Sequence, residues 1–159
     1  MLTAMTDQRT VSLSRLEHGR YAATNVRGTT LTFGHGQTDE FTPVELLLVA
    51  IAGCTAVDVD FLTSRRAEPT SFEVTSTGRK IRDEAGGNRM TDLEVTFRVT
   101  FPAGPDGDRA REMLPRALEL AHDRLCTVSR TVELGSPVTT ISASGTSHPP
   151  QDDGTSETP

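Results

Sequence analysis

The sequence predicts an α+β fold made of short strands, a long buried helix, a hairpin, a second helix and a last strand. Three observations support this prediction. Glycine separates short strand-like runs in the first forty residues. An apolar helix pattern begins near Thr42, and apolar residues alternate with polar ones from Leu93 to Phe101. The 159 residues are the length of one domain that can bury a core.

The N-terminal region predicts a meander of strands. Residues 11–15 alternate in polarity, Gly19 offers a turn, and a second run covers residues 20–25. A third run, residues 29–33, follows Gly28. Runs of this length between turn residues are typical of antiparallel strands.

The helix that begins near Thr42 is the clearest local feature. Thr42 is a good N-cap and Pro43 suits the first helical position. Glu45 completes a capping box with Thr42. Residues 46–57 are apolar on nearly every face, which predicts a helix covered by its neighbours. This run is shorter than the roughly 20 residues that a bilayer span needs.

The middle of the chain predicts a hairpin with one solvated face. Its strands are residues 71–82 and 93–101, and residues 83–88 form the turn.

The C-terminal part predicts two helices and a strand. Asp108 is expected to cap a helix, and Pro115 is expected to start, bend or interrupt it. A short helix is predicted at residues 128–134 and a last strand at 137–143. Residues 1–143 are therefore expected to form the domain. Residues 144–159 contain no large apolar side chain and predict a disordered acidic tail.

Composition restricts the class of function. The net charge is −6 and no basic stripe is visible, so nucleic-acid binding has little support. Residues 1–10 lack the apolar core of a secretory signal, which predicts a cytoplasmic protein with no membrane partner. Two cysteines in such a protein are expected to be free or catalytic thiols.

Cys54 and Cys126 are the only cysteines, and both lie in or beside predicted helices. Cys54 is either a small buried hydrophobe or a thiol that needs an activating partner from elsewhere in the fold. Asp58, one turn later, opposes thiolate formation while ionised; it can accept a hydrogen bond, hold an arginine or cap the helix. Cys126 lies at a helix boundary, where a helix N-terminus lowers a thiol pKa. His122, four residues earlier, is either a surface residue or a catalytic neighbour of Cys126.

Other common sites have no support in the sequence. The cysteines and histidines lack metal-ligand spacing. Gly86 and Gly87 fit a turn better than a phosphate loop. Ser129 lacks the setting of a nucleophile elbow.

Two motifs together resemble the OsmC/Ohr family, the osmotically inducible protein C and organic hydroperoxide resistance proteins. Residues 42–58, TPVELLLVAIAGCTAVD, resemble its central-helix signature, in the branch with Gly-Cys-Thr-Ala-x-Asp. Residues 126–129, Cys-Thr-Val-Ser, resemble its second cysteine motif, usually Cys-Pro-Val-Ser. The resemblance spans roughly residues 10–143.

The resemblance implies an intertwined homodimer with two antiparallel sheets around central helices. It implies that Cys54 is the peroxidatic thiol and that Cys126 resolves it. Family members with this activity reduce organic hydroperoxides, are recycled by thiols or dihydrolipoyl groups, and need no metal or prosthetic group.

Two positions depart from the peroxidase pattern. The family's catalytic glutamate directly follows the proline, but here Val44 does, and Glu45 comes one residue later. This shift rotates the side chain by about 100° around the helix. For the activating cation, Arg20 is the candidate and Arg27 a weaker one; the alternative is a solvated turn residue in either case.

Three hypotheses follow. The first is a thiol-dependent peroxidase that uses Cys54, Cys126, Glu45 and Arg20. The second is a non-catalytic dimer that binds an apolar small molecule. The third is a redox-responsive protein whose cysteines form a disulfide without turnover.

Overall fold

The computed structural model describes residues 7–142. Within this range the order of elements is three strands, a long helix, a two-stranded hairpin and two further helices, which is an α+β fold. The predicted tail at 144–159 lies outside the described residues.

The first three strands form the predicted meander. Strands β1 (Val11–Glu17), β2 (Arg20–Asn25) and β3 (Thr30–Gly34) make one antiparallel sheet in the order β1-β2-β3. Gly19 has a φ of +72° in the tight turn between β1 and β2, a conformation that favours glycine. Every residue of β1 is exposed, so the described chain leaves this edge strand uncovered on both faces.

The first helix, α1 (Pro43–Thr63), begins where the sequence predicts. The Thr42 hydroxyl accepts the backbone N–H of Glu45 at 3.3 Å. In return the Glu45 carboxylate accepts the backbone N–H of Thr42 at 2.7 Å. The capping box therefore satisfies two N–H groups that the helix leaves free.

The described chain covers α1 on one side only. Ile51, Thr55, Val59 and Thr63 form a buried stripe at four-residue spacing. Val57 and other apolar residues on the remaining faces stay exposed. The prediction of a helix covered on all sides is therefore wrong for the described chain, because its helices and hairpin supply a single covering layer. By length and composition α1 also qualifies as a membrane span, a test that core helices of globular proteins also pass.

The hairpin packs its apolar face on the helices. Strands β4 (Ser71–Arg82) and β5 (Asn88–Thr100) pair antiparallel, and β5 starts five residues before the predicted strand. The rings of Phe72 and Phe97 meet edge to face with centroids 6.0 Å apart. Both pack against a core cluster centred on Val59, which is fully buried. The predicted solvated face is confirmed by the alternating burial along both strands.

The second helix, α2 (Pro105–Leu120), starts earlier than predicted. Its N-cap is Gly104, and Pro105 takes the first helical position, where a missing N–H costs nothing. The prediction that Asp108 caps this helix is wrong: Asp108 lies in the first turn and forms an ion pair with Arg111. Pro115 lies inside α2, which continues through it to Leu120.

A π-helical turn, Ala121–Leu125, separates α2 from α3 (Thr127–Leu134). The predicted helix at residues 128–134 is therefore confirmed. The predicted strand at 137–143 is corrected: residues 137–142 are exposed and form no strand, because they pair with no strand of either sheet in the described chain.

Candidate functional site: a thiol pair at the start of helix α3

Cys54 lies on α1 beside the start of α3 and is partly exposed. Burial raises the pKa of its thiol, and the Cys126 thiol and the Asp58 carboxylate raise it further. The backbone N–H of Val128 opposes these effects by hydrogen bonding to the sulfur. The net effect is a Cys54 pKa above the ordinary value of a cysteine thiol.

Cys126 is the N-cap of α3 and is only 2% exposed. Its Sγ accepts the backbone N–H of Ser129 at 3.3 Å and lies 3.1 Å from the Ser129 hydroxyl. Burial alone would raise the pKa of this thiol. Interaction with the Ser129 hydroxyl and N–H, with smaller contributions from Cys54 and Thr55, lowers it below its ordinary value.

The two sulfur atoms are neighbours, and the first turn of α3 serves both. Val128 donates to Cys54, while Ser129 donates to Cys126. Each thiol also shifts the pKa of the other, through hydrogen bonding between the two groups. Both cysteines are free thiols in this structure. Packing of α1 on α3 therefore brings together two residues that lie far apart in the sequence.

Asp58 follows Cys54 by one turn of α1. Its Oδ2 atom is buried and has no hydrogen-bond partner among residues 7–142. A carboxylate oxygen in this state is costly to bury, so it favours a donor from outside the described chain. Of the three roles left open for Asp58, this geometry supports holding a partner group, such as an arginine.

Glu45 and Arg20, the two remaining candidates, lie away from the thiols of their own chain. Glu45 precedes Cys54 by nine residues, about 13 Å along α1, and its carboxylate is engaged in the capping box. Arg20 lies on β2, where its guanidinium holds the Glu40 carboxylate at 2.7 to 3.0 Å. Neither residue is among the groups that shift the pKa of Cys54.

The weaker candidates are also placed by the structure. Arg27 is exposed in the turn after β2, where its backbone N–H bonds to Asn25. His122 is exposed in the π-helical turn, with Nδ1 3.7 Å from a Glu133 carboxylate oxygen. It is not among the groups that shift the pKa of Cys126.

A cavity of about 560 Å³ lies between β5, α1 and α3. Thr55 and Ser129, the two hydroxyl residues that lower the pKa of Cys126, both line it. The cavity therefore reaches the shell of side chains around the thiol pair. Its apolar wall consists of Ile51, Leu93, Val95, Phe97, Leu118 and Val132.

A smaller cavity, about 220 Å³, lies on another side of α3. Cys126 lines it together with Arg124 and Arg130. Positive charge is therefore present near the Cys126 side of the pair, and no arginine is among the groups that shift the pKa of Cys54.

Ser129 is not among the predicted site residues, because its motif was considered only for a nucleophile elbow. The signal was available: a residue three positions after an N-cap has its N–H directed at the cap side chain. In Cys-Thr-Val-Ser that spacing joins Ser129 to Cys126.

Comparisons with known proteins agree with this fold. Residues 34–141, more than half of the chain, match the family described as OsmC-like protein. Two mycobacterial proteins, "Uncharacterized protein Rv2923c" of Mycobacterium tuberculosis and "Uncharacterized protein Mb2948c" of Mycobacterium bovis, are each 31% identical over 123 residues. The match covers 75% of this chain and 85% of each relative.

Solved structures show the same fold at low sequence identity. An OsmC-like protein of unknown function from Vibrio cholerae has a TM-score of 0.63 at 11% identity, covering 80% of this chain and 95% of its own. An organic hydroperoxide resistance protein from Elizabethkingia anophelis has a TM-score of 0.55 at 14% identity, covering 81% and 91%. The matched sequence profile, the relatives and the shared architecture together establish that the chain belongs to the OsmC-like family.

Proposed function

We propose that this protein is a thiol-dependent peroxidase that reduces organic hydroperoxides with the Cys54–Cys126 pair. The observation that carries the proposal is the meeting of two free thiols at the first turn of α3. Of the side-chain pairs in this chain, two neighbouring thiols are the one that can give two electrons to a peroxide bond by forming a disulfide. That disulfide can then take two electrons back from a reductant.

The chemistry divides into three steps. The Cys54 thiolate attacks the peroxide O–O bond, the alcohol leaves, and Cys54 becomes a sulfenic acid. The Cys126 thiolate then attacks the Cys54 sulfur, and hydroxide leaves and is protonated to water as the disulfide forms. An external thiol or dihydrolipoyl group supplies the two electrons that reduce the disulfide. The apolar wall of the larger cavity favours alkyl or fatty hydroperoxides over hydrogen peroxide.

The proposal includes a homodimer. Strand β1 is exposed along its whole length, and α1 leaves Val49, Val57 and Phe61 uncovered. Exposed apolar surface on both elements is typical of an interaction site. A second copy would cover these faces and could supply the missing donor for Asp58.

Activation of Cys54 requires a cation that one chain does not place beside it. The raised pKa of Cys54 means that thiolate formation at neutral pH needs such a partner. Arg20 remains the proposed source, through the dimer, because it lies on β2, directly beside the uncovered strand β1. Its ion pair with Glu40 would hold the guanidinium in a fixed direction. Glu45 is proposed to act on the site indirectly, by fixing the start of α1.

The test is consumption of cumene hydroperoxide with dithiothreitol or dihydrolipoamide as reductant. We expect turnover in the unmodified protein and its complete loss in Cys54→Ser. Cys126→Ser should reduce peroxide once and then stop at the sulfenic acid, which a dimedone adduct detects by mass spectrometry. Unchanged peroxide and intact thiols after treatment would reject the peroxidase proposal.

A second candidate function has one observation in its favour. A mostly apolar cavity of about 560 Å³, lined by Thr55 next to a Cys54 thiol of raised pKa, suits a dimer that binds an apolar small molecule without turnover. Intact thiols after peroxide treatment, together with saturable binding of a fluorescent fatty acid, would support this alternative. Disulfide formation without turnover would support a redox-responsive role.

A further inference from the structure

We propose that Ser129 is a positioning residue that makes Cys126 the leaving group of the thiol pair, so that the external reductant attacks the sulfur of Cys54. This inference rests on the proposed disulfide chemistry and goes beyond it, because it assigns the direction of the reductive half-reaction and the residue that sets it.

The two sulfur atoms have unequal surroundings. Cys126 Sγ is held by two groups of one residue, the Ser129 N–H at 3.3 Å and the Ser129 hydroxyl at 3.1 Å. A hydroxyl can rotate to donate to a thiolate, so both groups favour the charged form. Cys54 receives one backbone donor, from Val128, and faces the carboxylate of Asp58 one turn away. Negative charge is therefore better accommodated on Cys126.

The exposure of the two cysteines also favours attack of the reductant on Cys54. Cys126 is 2% exposed, whereas Cys54 is partly exposed. In a disulfide between them, an incoming thiolate reaches the Cys54 sulfur more easily. Thiol–disulfide exchange is also faster when the leaving sulfur has the lower pKa.

A dithiol would reduce the Cys54–Cys126 disulfide through two thiol exchanges. The reductant thiolate attacks Cys54 Sγ, the S–S bond breaks, and its electron pair goes to Cys126 as a thiolate held by Ser129. The reductant is then linked to Cys54 as a mixed disulfide. A second thiol of the reductant attacks the reductant's own sulfur, and Cys54 leaves as a thiolate that takes a proton from solvent. Two electrons have moved from the dithiol to the protein.

The first experiment measures the pH dependence of Cys126 alkylation by iodoacetamide in the Cys54→Ser variant. Ser129→Ala removes one of the two donors and should move the midpoint upward by roughly one pH unit. Ser129→Thr keeps the hydroxyl and should restore the midpoint. Thr131→Val is the matched control, because its hydroxyl lies in the same helix but bonds to the Thr127 carbonyl. An unchanged midpoint in Ser129→Ala would overturn the proposal.

The second experiment locates the mixed disulfide. The unmodified protein is oxidised with diamide, treated briefly with a monothiol, quenched in acid and mapped by mass spectrometry. We expect the adduct on Cys54 and a free thiol on Cys126. An adduct mainly on Cys126, or a failure of the two cysteines to form a disulfide, would overturn the proposal.

Neither experiment uses a hydroperoxide. A protein that forms the adduct on Cys54 but consumes no cumene hydroperoxide would retain this inference and lose the peroxidase function. The opposite result would leave the peroxidase and reject the assigned direction.

Discussion

The first sheet and the helix–hairpin unit differ in how much of their apolar surface a single chain buries. The unit formed by α1, the β4–β5 hairpin and α2 buries a shared core around Val59. Strand β1 of the first sheet is exposed throughout, with Val11, Leu13 and Leu16 all about half exposed or more. Cys54 therefore lies in the unit that forms this core, and Cys126 lies beside it at the start of α3. The candidate cation, Arg20, lies in the part that lacks a covering partner.

The largest expected effect comes from charging the uncovered face of α1. Val57 is 69% exposed in one chain, and Val57→Glu should weaken dimer formation on the order of a hundredfold, because the new carboxylate would be buried without a partner. Light scattering across a concentration series measures this change. Val26→Glu is the control, because Val26 is 77% exposed in the turn after β2. Equal behaviour of the two variants would contradict the assignment of this face to a dimer.

The second largest expected effect concerns the core of the helix–hairpin unit. Val59 is fully buried, and Val59→Ala should lower the free energy of unfolding by about 2 kcal/mol through lost burial and a residual cavity. Chemical denaturation followed by circular dichroism measures the change. Val138→Ala, at a position that is 91% exposed, should stay within about 0.5 kcal/mol of the unmodified protein. A Val59→Ala variant as stable as this control would show that the core lies elsewhere.

The smallest effect concerns the ion pair of the first sheet. The Arg20 guanidinium, with help from Thr32, holds the pKa of Glu40 at about 2, below its ordinary value of 4.5. Because this pKa is depressed in the folded state, the stabilisation is present above pH 4.5 and is lost as the pH falls toward about 2. Arg20→Gln should return the Glu40 titration toward its ordinary range, which carboxyl NMR would detect. Arg27→Gln, in the neighbouring turn, should leave the titration unchanged.

Much of the fold could be predicted because local chemistry fixed it. The capping box at Thr42 and Glu45 set the start of α1, and strict alternation set the hairpin. The start of α2 was misplaced because Asp108 is a good cap by type, whereas Pro105 decides the position by its fixed φ. A last strand at 137–143 depends on a neighbour that the described chain does not supply, so its residues could not decide it.

The candidate site was only partly predictable. The two cysteines could be paired through family resemblance, and the structure brings them together. Their unequal acidity could be predicted only in part. The spacing of Ser129 from Cys126 is local, whereas the effects of Val128 from α3 on Cys54 and of Thr55 from α1 on Cys126 arise across the fold. The sequence showed that Glu45 caps a helix, and the structure adds that the same carboxylate is distant from Cys54.

Because of the π-helical turn at Ala121–Leu125, the placement of α3 relative to α2 depends on the number of residues in this segment. Its wide turn accommodates one more residue than an α-helix would, and it ends at Cys126. Deleting a single residue there would remove this extra residue and turn Cys126 by about 100° around the helix axis, which would carry its sulfur away from α1. Relatives that keep a working thiol pair should therefore tolerate substitutions in this segment far more readily than insertions or deletions.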